Sequence, residues 1–127
     1  MVVLMTKLTR RSLFAALAGL AAAFTGTTAR ARRQSPQVVE ITVERFSFTP
    51  SEFRVKAGAP VEIRLRSDDT DHGFRSLGTA INVTVPKRGK GVATVTFQPP
   101  AAGRYTFECS RLCGAGHSFM RGTIIAE

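Results

Sequence analysis

The sequence predicts an all-β fold, a Greek-key β-sandwich or barrel, and two observations lead to this prediction. From Val38 onward, apolar residues recur with a period of two in segment after segment, which is the pattern of half-buried strands. Turn-forming residues separate these segments at regular spacing. About seven short strands arranged in this way are typical of a sandwich or a closed barrel.

The strands can be followed in order along the chain. In the first, Val39, Ile41 and Val43 alternate with charged or hydroxyl side chains. The later segments are Phe53 and Val55; Val61, Ile63 and Leu65; Ile81, Val83 and Val85; Ala93, Val95 and Phe97; Tyr105, Phe107 and Cys109; and Gly122 to Ile125. The chain has no tryptophan, so the core is expected to consist of branched aliphatic residues and phenylalanines. These phenylalanines are Phe46, Phe48, Phe53, Phe97 and Phe107.

The N-terminal part has the layout of an export signal, and we expect a helical signal peptide over residues 1–31, a linker over 32–37 and the folded domain over 38–127. Cations precede the apolar run 13–24, and Ala29-Arg30-Ala31 fits a small-x-small peptidase site. The sequence T-R-R-S-L-F from Thr9 resembles a twin-arginine signal. A retained membrane anchor is the alternative, but the apolar run is shorter than the ~20 residues of a spanning helix. The expected location is therefore periplasmic, or exported and membrane-anchored if the signal is not cleaved.

The charge of the chain gives little support to nucleic-acid binding. The net charge is +9, and four of the 18 Lys and Arg residues fall within the predicted signal. The remaining cations are scattered through the strand-like segments, and no aromatic ladder is interleaved with them. We therefore expect no nucleic-acid partner.

The chemically distinctive stretch is C-S-R-L-C-G-A-G-H-S-F-M, residues 109–120. It contains both cysteines of the chain, one of the two histidines and the only methionine of the predicted domain, while His72 lies upstream. Thiolate and thioether donors together with imidazole favour copper. The composition of this stretch therefore points to a metal site.

Other interpretations of the two cysteines stay open at this stage. A disulfide is plausible in an oxidising compartment, although it would close a very small loop and leave His117 and Met120 unexplained. Zinc sites favour ligands paired at close spacing, and His72 lies 37 residues before Cys109. Haem attachment needs C-x-x-C-H, whereas the spacing here is C-x-x-x-C. A Cys-His nucleophile would lack an identifiable orienting group.

The stretch resembles the C-x-E-x-C-x-x-x-H-x-x-M motif of the CuA domain of cytochrome c oxidase subunit II, a cupredoxin. Asp71-His72-Gly73-Phe74 and Gly103 to Cys109 are similar to that family's upstream ligand segment and last strand. The resemblance implies a cupredoxin-like fold and a dinuclear copper centre. It also implies the metal ligands His72, Cys109, Arg111 (through its backbone carbonyl), Cys113, His117 and Met120.

The resemblance assigns a role to each of these ligands. Cys109 and Cys113 would each bridge two copper ions. His72 and Met120 would complete one copper, and His117 and the Arg111 carbonyl the other. Arg111 stands where the family usually has glutamate, so the surroundings of the site change while the carbonyl ligand is retained.

The function implied by the resemblance is single-electron transfer to a terminal oxidase or reductase, with a redox protein such as a cytochrome c as partner. No catalysis is expected from this chain alone. The alternative is a copper-handling protein that stores or delivers copper without a redox partner.

Asp68, Asp69 and Asp71 form the only acidic cluster, interpreted either as a solvated loop or as a docking rim. Phe74 and Phe119 are interpreted either as an apolar face at the site or as core.

Overall fold

The computed structural model describes residues 35–127. The predicted helical signal, residues 1–31, and residues 32–34 of the predicted linker lie outside the described residues. Within residues 35–127, no helix has the length and apolar character needed to span a membrane.

Nine strands and one short 3₁₀ turn make up the described part of the chain. The strands are β1 Gln37–Glu44, β2 Ser47–Thr49, β3 Glu52–Val55, β4 Val61–Ser67, β5 His72–Ser76, β6 Asn82–Val85, β7 Ala93–Phe97, β8 Gly103–Glu108 and β9 Arg121–Ala126. The 3₁₀ turn is His117–Phe119, between β8 and β9. The predicted all-β fold is confirmed.

The strands form two sheets. One has the order β2-β1-β4-β7 and the other β3-β9-β8-β5-β6. Strand β1 runs parallel to β4 and β3 runs parallel to β9, whereas the other neighbours are antiparallel. All seven segments detected from their alternation are strands, and the structure adds β2 and β5. Strand β5 is buried at four of its five positions and so shows no alternation.

The core is built from the inner faces of both sheets. Its centre is a cluster of aromatic rings in which Phe107 lies 5.1 Å from Phe48 and 5.0 Å from Phe74, centroid to centroid. Edge and tilted contacts of this kind add to the burial of apolar area. Cys109, Cys113 and Met120 belong to the same buried cluster. The candidate ligands therefore lie at one end of the hydrophobic core.

The prediction that Phe46 belongs to the core is wrong. Phe46 lies in the turn between β1 and β2 and is 40% exposed. Its ring faces the loop that follows β8 instead of the space between the sheets, since it approaches the α-carbons of Gly114 and Gly116. Phe53 is only partly buried, at the margin of the core.

Candidate metal centre

The predicted donor residues come from two places in the fold. His72 begins β5, and the other five lie between the end of β8 and the start of β9. Because β8 and β9 are antiparallel neighbours, the ligand loop (residues 109–120) begins and ends at the same end of the sheet. The Cys109 N–H donates to the Met120 carbonyl at 3.1 Å, which closes the base of this loop. Strand β5 pairs with β8 and so carries His72 to the loop.

The structure brings the predicted donor atoms together around Cys113. Its Sγ lies 3.8 Å from Cys109 Sγ, 3.8 Å from Met120 Sδ and 3.7 Å from His117 Nδ1. Cys109 Sγ in turn lies 3.1 Å from the carbonyl oxygen of Arg111. The donor atoms of His72, Cys109 and Cys113 are all within 4.8 Å of one another. Six donor groups, five from the ligand loop and one from β5, thus lie close together.

The two cysteines are free thiols in this structure. Their sulfur atoms are 3.8 Å apart, whereas a disulfide bond measures about 2.05 Å. Two thiolates bound to one tetrahedral ion through bonds of ~2.3 Å would be about 3.8 Å apart. The spacing therefore fits two thiolates that share a metal, and the soft donor set fits copper.

His72 shows which of its nitrogens is free to bind a metal. The side chain is fully buried, and its Nε2 lies 2.6 Å from Asp69 Oδ1. Its Nδ1 is buried without a hydrogen-bond partner among residues 35–127. A buried polar atom without a partner costs about 1–3 kcal/mol. A metal ion bound by Nδ1 would remove this penalty, with the proton held on Nε2 by the carboxylate.

Asp69 supports His72, a role that neither interpretation of the acidic cluster included. Its carboxylate also accepts hydrogen bonds from the Arg45 N–H at 2.8 Å and the Thr70 N–H at 2.7 Å. Burial alone would raise the pKa of Asp69, but the hydrogen bonds from His72 and from these two N–H groups outweigh it and lower the pKa to about 2. Asp69 is therefore ionised at neutral pH. Its spacing three residues before His72 was the only sequence signal of this role.

The turn between β1 and β2 holds the ligand loop in place, a role that the sequence did not reveal. Arg45 donates from Nε to the Cys113 carbonyl at 2.6 Å, and its own N–H binds Asp69. The Phe46 ring packs on the loop so closely that a β-carbon on Gly114 would lie 2.8 Å from it. One turn thus fixes both the cysteine loop and the carboxylate that orients His72.

Burial also controls the protonation of Cys113. Desolvation, and then the hydrogen bond and charge of Cys109, raise the pKa of the Cys113 thiol to about 11. The thiol is therefore protonated at neutral pH in the metal-free protein. Metal binding must displace that proton, so affinity will fall as the pH is lowered.

Two large apolar side chains are exposed on the ligand loop. Leu112 is 85% exposed and Phe119 is 84% exposed, and they flank the half-buried His117. Phe74 is fully buried. Of the two phenylalanines weighed as site or core, Phe74 is core and Phe119 lies on the surface. The Arg111 side chain also points outward, with Nη2 3.8 Å from Asp71 Oδ2.

We expect Asp69→Asn to weaken copper binding by about 10–100-fold, the usual effect of losing a carboxylate that orients a ligand histidine. Chelator competition measures this affinity, with Asp68→Asn as the control because Asp68 pairs with the exposed Arg66. The pKa of Asp69 in the folded protein lies below its ordinary value of 3.8. The contribution of Asp69 to stability is therefore present above pH 3.8 and is lost as the pH falls towards 2. Copper-free Asp69→Asn should therefore lack this loss of stability at acid pH. Equal copper affinities of Asp69→Asn and Asp68→Asn would contradict the role of Asp69 in orienting His72.

Comparison with known proteins places these features in a family context. The model of the family described as cupredoxin-like domain matches residues 14–126. Cytochrome c oxidase subunit 2 of Thermus thermophilus is 37% identical over 82 residues, which are 65% of this chain and 59% of that protein. The chain thus spans less than two thirds of the length of this relative.

Solved structures agree with the two-sheet fold. A chain of a heme-copper terminal oxidase dimer superposes with a TM-score of 0.64 and 26% identity, over 76% of this chain and 68% of that one. The periplasmic domain of subunit II of cytochrome oxidase from Bradyrhizobium japonicum has a TM-score of 0.66 at 15% identity, over 74% and 86% of the two chains. At that identity the second similarity shows the fold alone.

Proposed function

The chain belongs to the family of cupredoxin-like domains, and we propose that it is an exported electron-transfer protein with a dinuclear copper centre of the CuA type. The observation that carries this proposal is the convergence of two free thiols, two imidazoles, a thioether and a backbone carbonyl at one end of the core. A mononuclear blue-copper site uses a single cysteine thiolate, whereas this end of the core holds two thiols. The similarity to an oxidase subunit 2 supports the same conclusion.

The ligand assignment proposed for this chain follows the contacts of each donor. Cys109 and Cys113 would bridge the two ions, because each sulfur is close to donors that belong to different halves of the site. His72 and Met120 would complete one copper. His117 and the carbonyl oxygen of Arg111 would complete the other.

Copper bound in this way would supply a centre that accepts and releases one electron shared over two thiolate-bridged ions. The chain's own residues would hold the ligands of that centre in place. Asp69 fixes the ring of His72, and Arg45 fixes the Cys113 carbonyl. Cys109, Cys113 and Met120 are buried, so water is largely excluded from the donors. Ligands that move little between redox states keep the reorganisation energy of electron transfer small.

We further propose that the partner is a redox protein such as a cytochrome c or a terminal oxidase or reductase. This follows from the relative, an oxidase subunit, of which the chain covers only part. The proposed location is the periplasm, with a signal over residues 1–31 that either is cleaved or remains as an anchor. The chain alone is proposed to relay electrons without catalysing a reaction.

Copper loading tests this function. The loaded protein is expected to contain two copper ions per chain and to show, by electron paramagnetic resonance, hyperfine splitting from one unpaired electron shared by two copper nuclei. Potentiometric titration should show a reversible one-electron couple. One copper per chain with splitting from a single nucleus would refute the proposal and favour the copper-handling function instead.

A further inference from the structure

A basic loop lies between β6 and β7. Lys87, Arg88 and Lys90 are all exposed, and within residues 35–127 they take part in no ion pair. Most other cations of this part of the chain do have a carboxylate partner. These three charges are therefore directed to solvent without local compensation.

The basic loop is joined to the candidate metal centre by direct contacts. The Lys87 N–H donates to Asp71 Oδ1 at 2.7 Å, and the other oxygen of that carboxylate lies 3.8 Å from Arg111 Nη2 on the ligand loop. The Arg88 N–H donates to the carbonyl of Asp69, whose carboxylate holds His72. The basic loop and the ligand loop thus occupy the same end of the sandwich.

Carboxylates at this end are mostly engaged by neighbouring groups. The pairs are Asp68 with Arg66, Asp71 with Arg111, and Glu108 with both Arg75 and Arg121. Asp69 is held by His72 and the Arg45 N–H. Glu44 is exposed without an ion pair in the described residues, so one unpaired carboxylate stands against the three unpaired cations of the basic loop. The uncompensated charge at this end is therefore positive.

Three large apolar side chains are exposed on the ligand loop and on the turn that packs against it, namely Leu112, Phe119 and Phe46, here called the apolar patch. Leu112 and Phe119 are more than four-fifths exposed, and Phe46 is 40% exposed where it lies on Gly114 and Gly116. Single exposed apolar residues are common, but three on one loop and its neighbour beside a functional site are typical of an interaction surface. Half-buried His117 lies between Leu112 and Phe119 in the sequence of the ligand loop.

We infer that the apolar patch and the basic loop together dock a redox protein whose own contact face has an apolar centre and an acidic rim. The inference rests on the proposed electron-transfer function and names the charge class of its partner. Complementary charge steers the encounter, and like charge disfavours the wrong partner. A carrier with a basic contact face would meet the unpaired cations and be repelled.

A pair of probes that differ only in charge tests the inference. The probes are basic cytochrome c and the same protein with its lysines succinylated, which replaces ammonium groups by carboxylates. One electron leaves the reduced, copper-loaded protein and reduces one ferric haem, which is followed by stopped-flow absorbance. The succinylated probe is expected to react at least about 10-fold faster at low ionic strength. Its rate should fall with added salt, while that of the basic probe should rise.

Variants then locate the surface. The first is a triple variant, Lys87→Glu/Arg88→Glu/Lys90→Glu. It is expected to slow electron transfer to the succinylated probe by about 10-fold at low salt and to have little effect on that rate at high salt. The single variants Lys90→Glu and Lys56→Glu form a matched pair, since both lysines are exposed and unpaired within the described residues. Lys56 follows β3, whose parallel neighbour β9 runs away from the ligand loop. Lys56→Glu is therefore expected to react like the unchanged protein.

A readout that does not depend on electron transfer completes the test. Binding of the succinylated probe, mapped by NMR chemical shifts of the protein with and without copper, is expected at residues 112, 119 and 87–90. Leu112→Ser should weaken that binding at low and high salt alike, because an apolar contact is not screened.

The outcomes separate this inference from the function on which it rests. The inference would be overturned if the basic probe reacted as fast as the succinylated probe or faster. It would also be overturned if Lys90→Glu and Lys56→Glu changed the rate of electron transfer to the succinylated probe equally. If the protein still exchanged electrons rapidly with hexacyanoferrate, the proposed function would stand. A copper-loaded protein that exchanges electrons with none of these reagents would overturn the proposed function, and the inference with it.

Discussion

Cys113→Ser is expected to abolish the dinuclear centre, leaving at most one copper per chain and no hyperfine splitting from two nuclei. Cys113 lies within 3.8 Å of three other donors, Cys109, His117 and Met120. A serine hydroxyl is a poor ligand for copper in place of a soft thiolate. Loss of this bridge therefore separates the two halves of the site. Copper content and electron paramagnetic resonance measure the effect.

Arg111→Ala provides the comparison for this variant. Its side chain is directed outward to Asp71, and only its backbone carbonyl is assigned to the metal. The truncated variant should therefore keep both copper ions with an unchanged splitting pattern. An unaltered two-copper spectrum in Cys113→Ser would refute the bridging assignment. Loss of metal in Arg111→Ala would show that its side chain, and not its carbonyl, supports the site.

The sequence was sufficient to single out the candidate donor side chains because their chemistry is rare in the chain, whereas the Arg111 carbonyl was implied only by the family resemblance. The soft side chains of the ligand loop are concentrated within twelve residues, and the loop closes between neighbouring antiparallel strands. The alternation of apolar residues was likewise enough to predict seven of the nine strands. These features depend on local pattern, which a sequence records directly.

The residues that support the site were harder to foresee because their role depends on contacts across the fold. Arg45 reaches Cys113 over 68 positions of sequence, and nothing local to it indicates a partner. Phe46 looked like a core residue because its neighbours are strand-like, but it packs on two glycines of the ligand loop. Asp69 belonged to an acidic cluster whose ordinary interpretation is a solvated loop. Strand β5 lacked alternation because nearly all of it is buried.

Strand β5 also contains a position where a small change should damage the fold and the ligand loop together. Gly73 follows His72, and its N–H donates to Cys109 Sγ at 3.5 Å. A β-carbon at this position would lie 2.8 Å from the Arg111 nitrogen and 2.9 Å from the Ser110 nitrogen, and it would also clash with Ser110 Oγ. Backbone atoms cannot rotate away as a side chain can, so the ligand loop itself would have to move.

We therefore expect Gly73→Ala to lower the free energy of unfolding by about 3 kcal/mol, at the upper end of the usual cost of overpacking. The displaced loop should also lose copper. Gly78→Ala is the matched control, because a β-carbon there meets nothing within 4 Å and only its φ of 74° opposes substitution, which costs about 1 kcal/mol. Denaturant unfolding of the copper-free proteins and copper content measure both effects.

Addition of Ser110→Ala to Gly73→Ala separates the two sources of the clash. Removing the Ser110 hydroxyl relieves the contact with Oγ but leaves both backbone nitrogens in place. The double variant should therefore recover only part of the lost stability and should still fail to bind two copper ions. Full recovery would mean that the hydroxyl alone required a glycine at position 73. The close approach of β5 to the ligand loop would then be a matter of side-chain packing and not of the backbone geometry that holds His72 and Cys109 together.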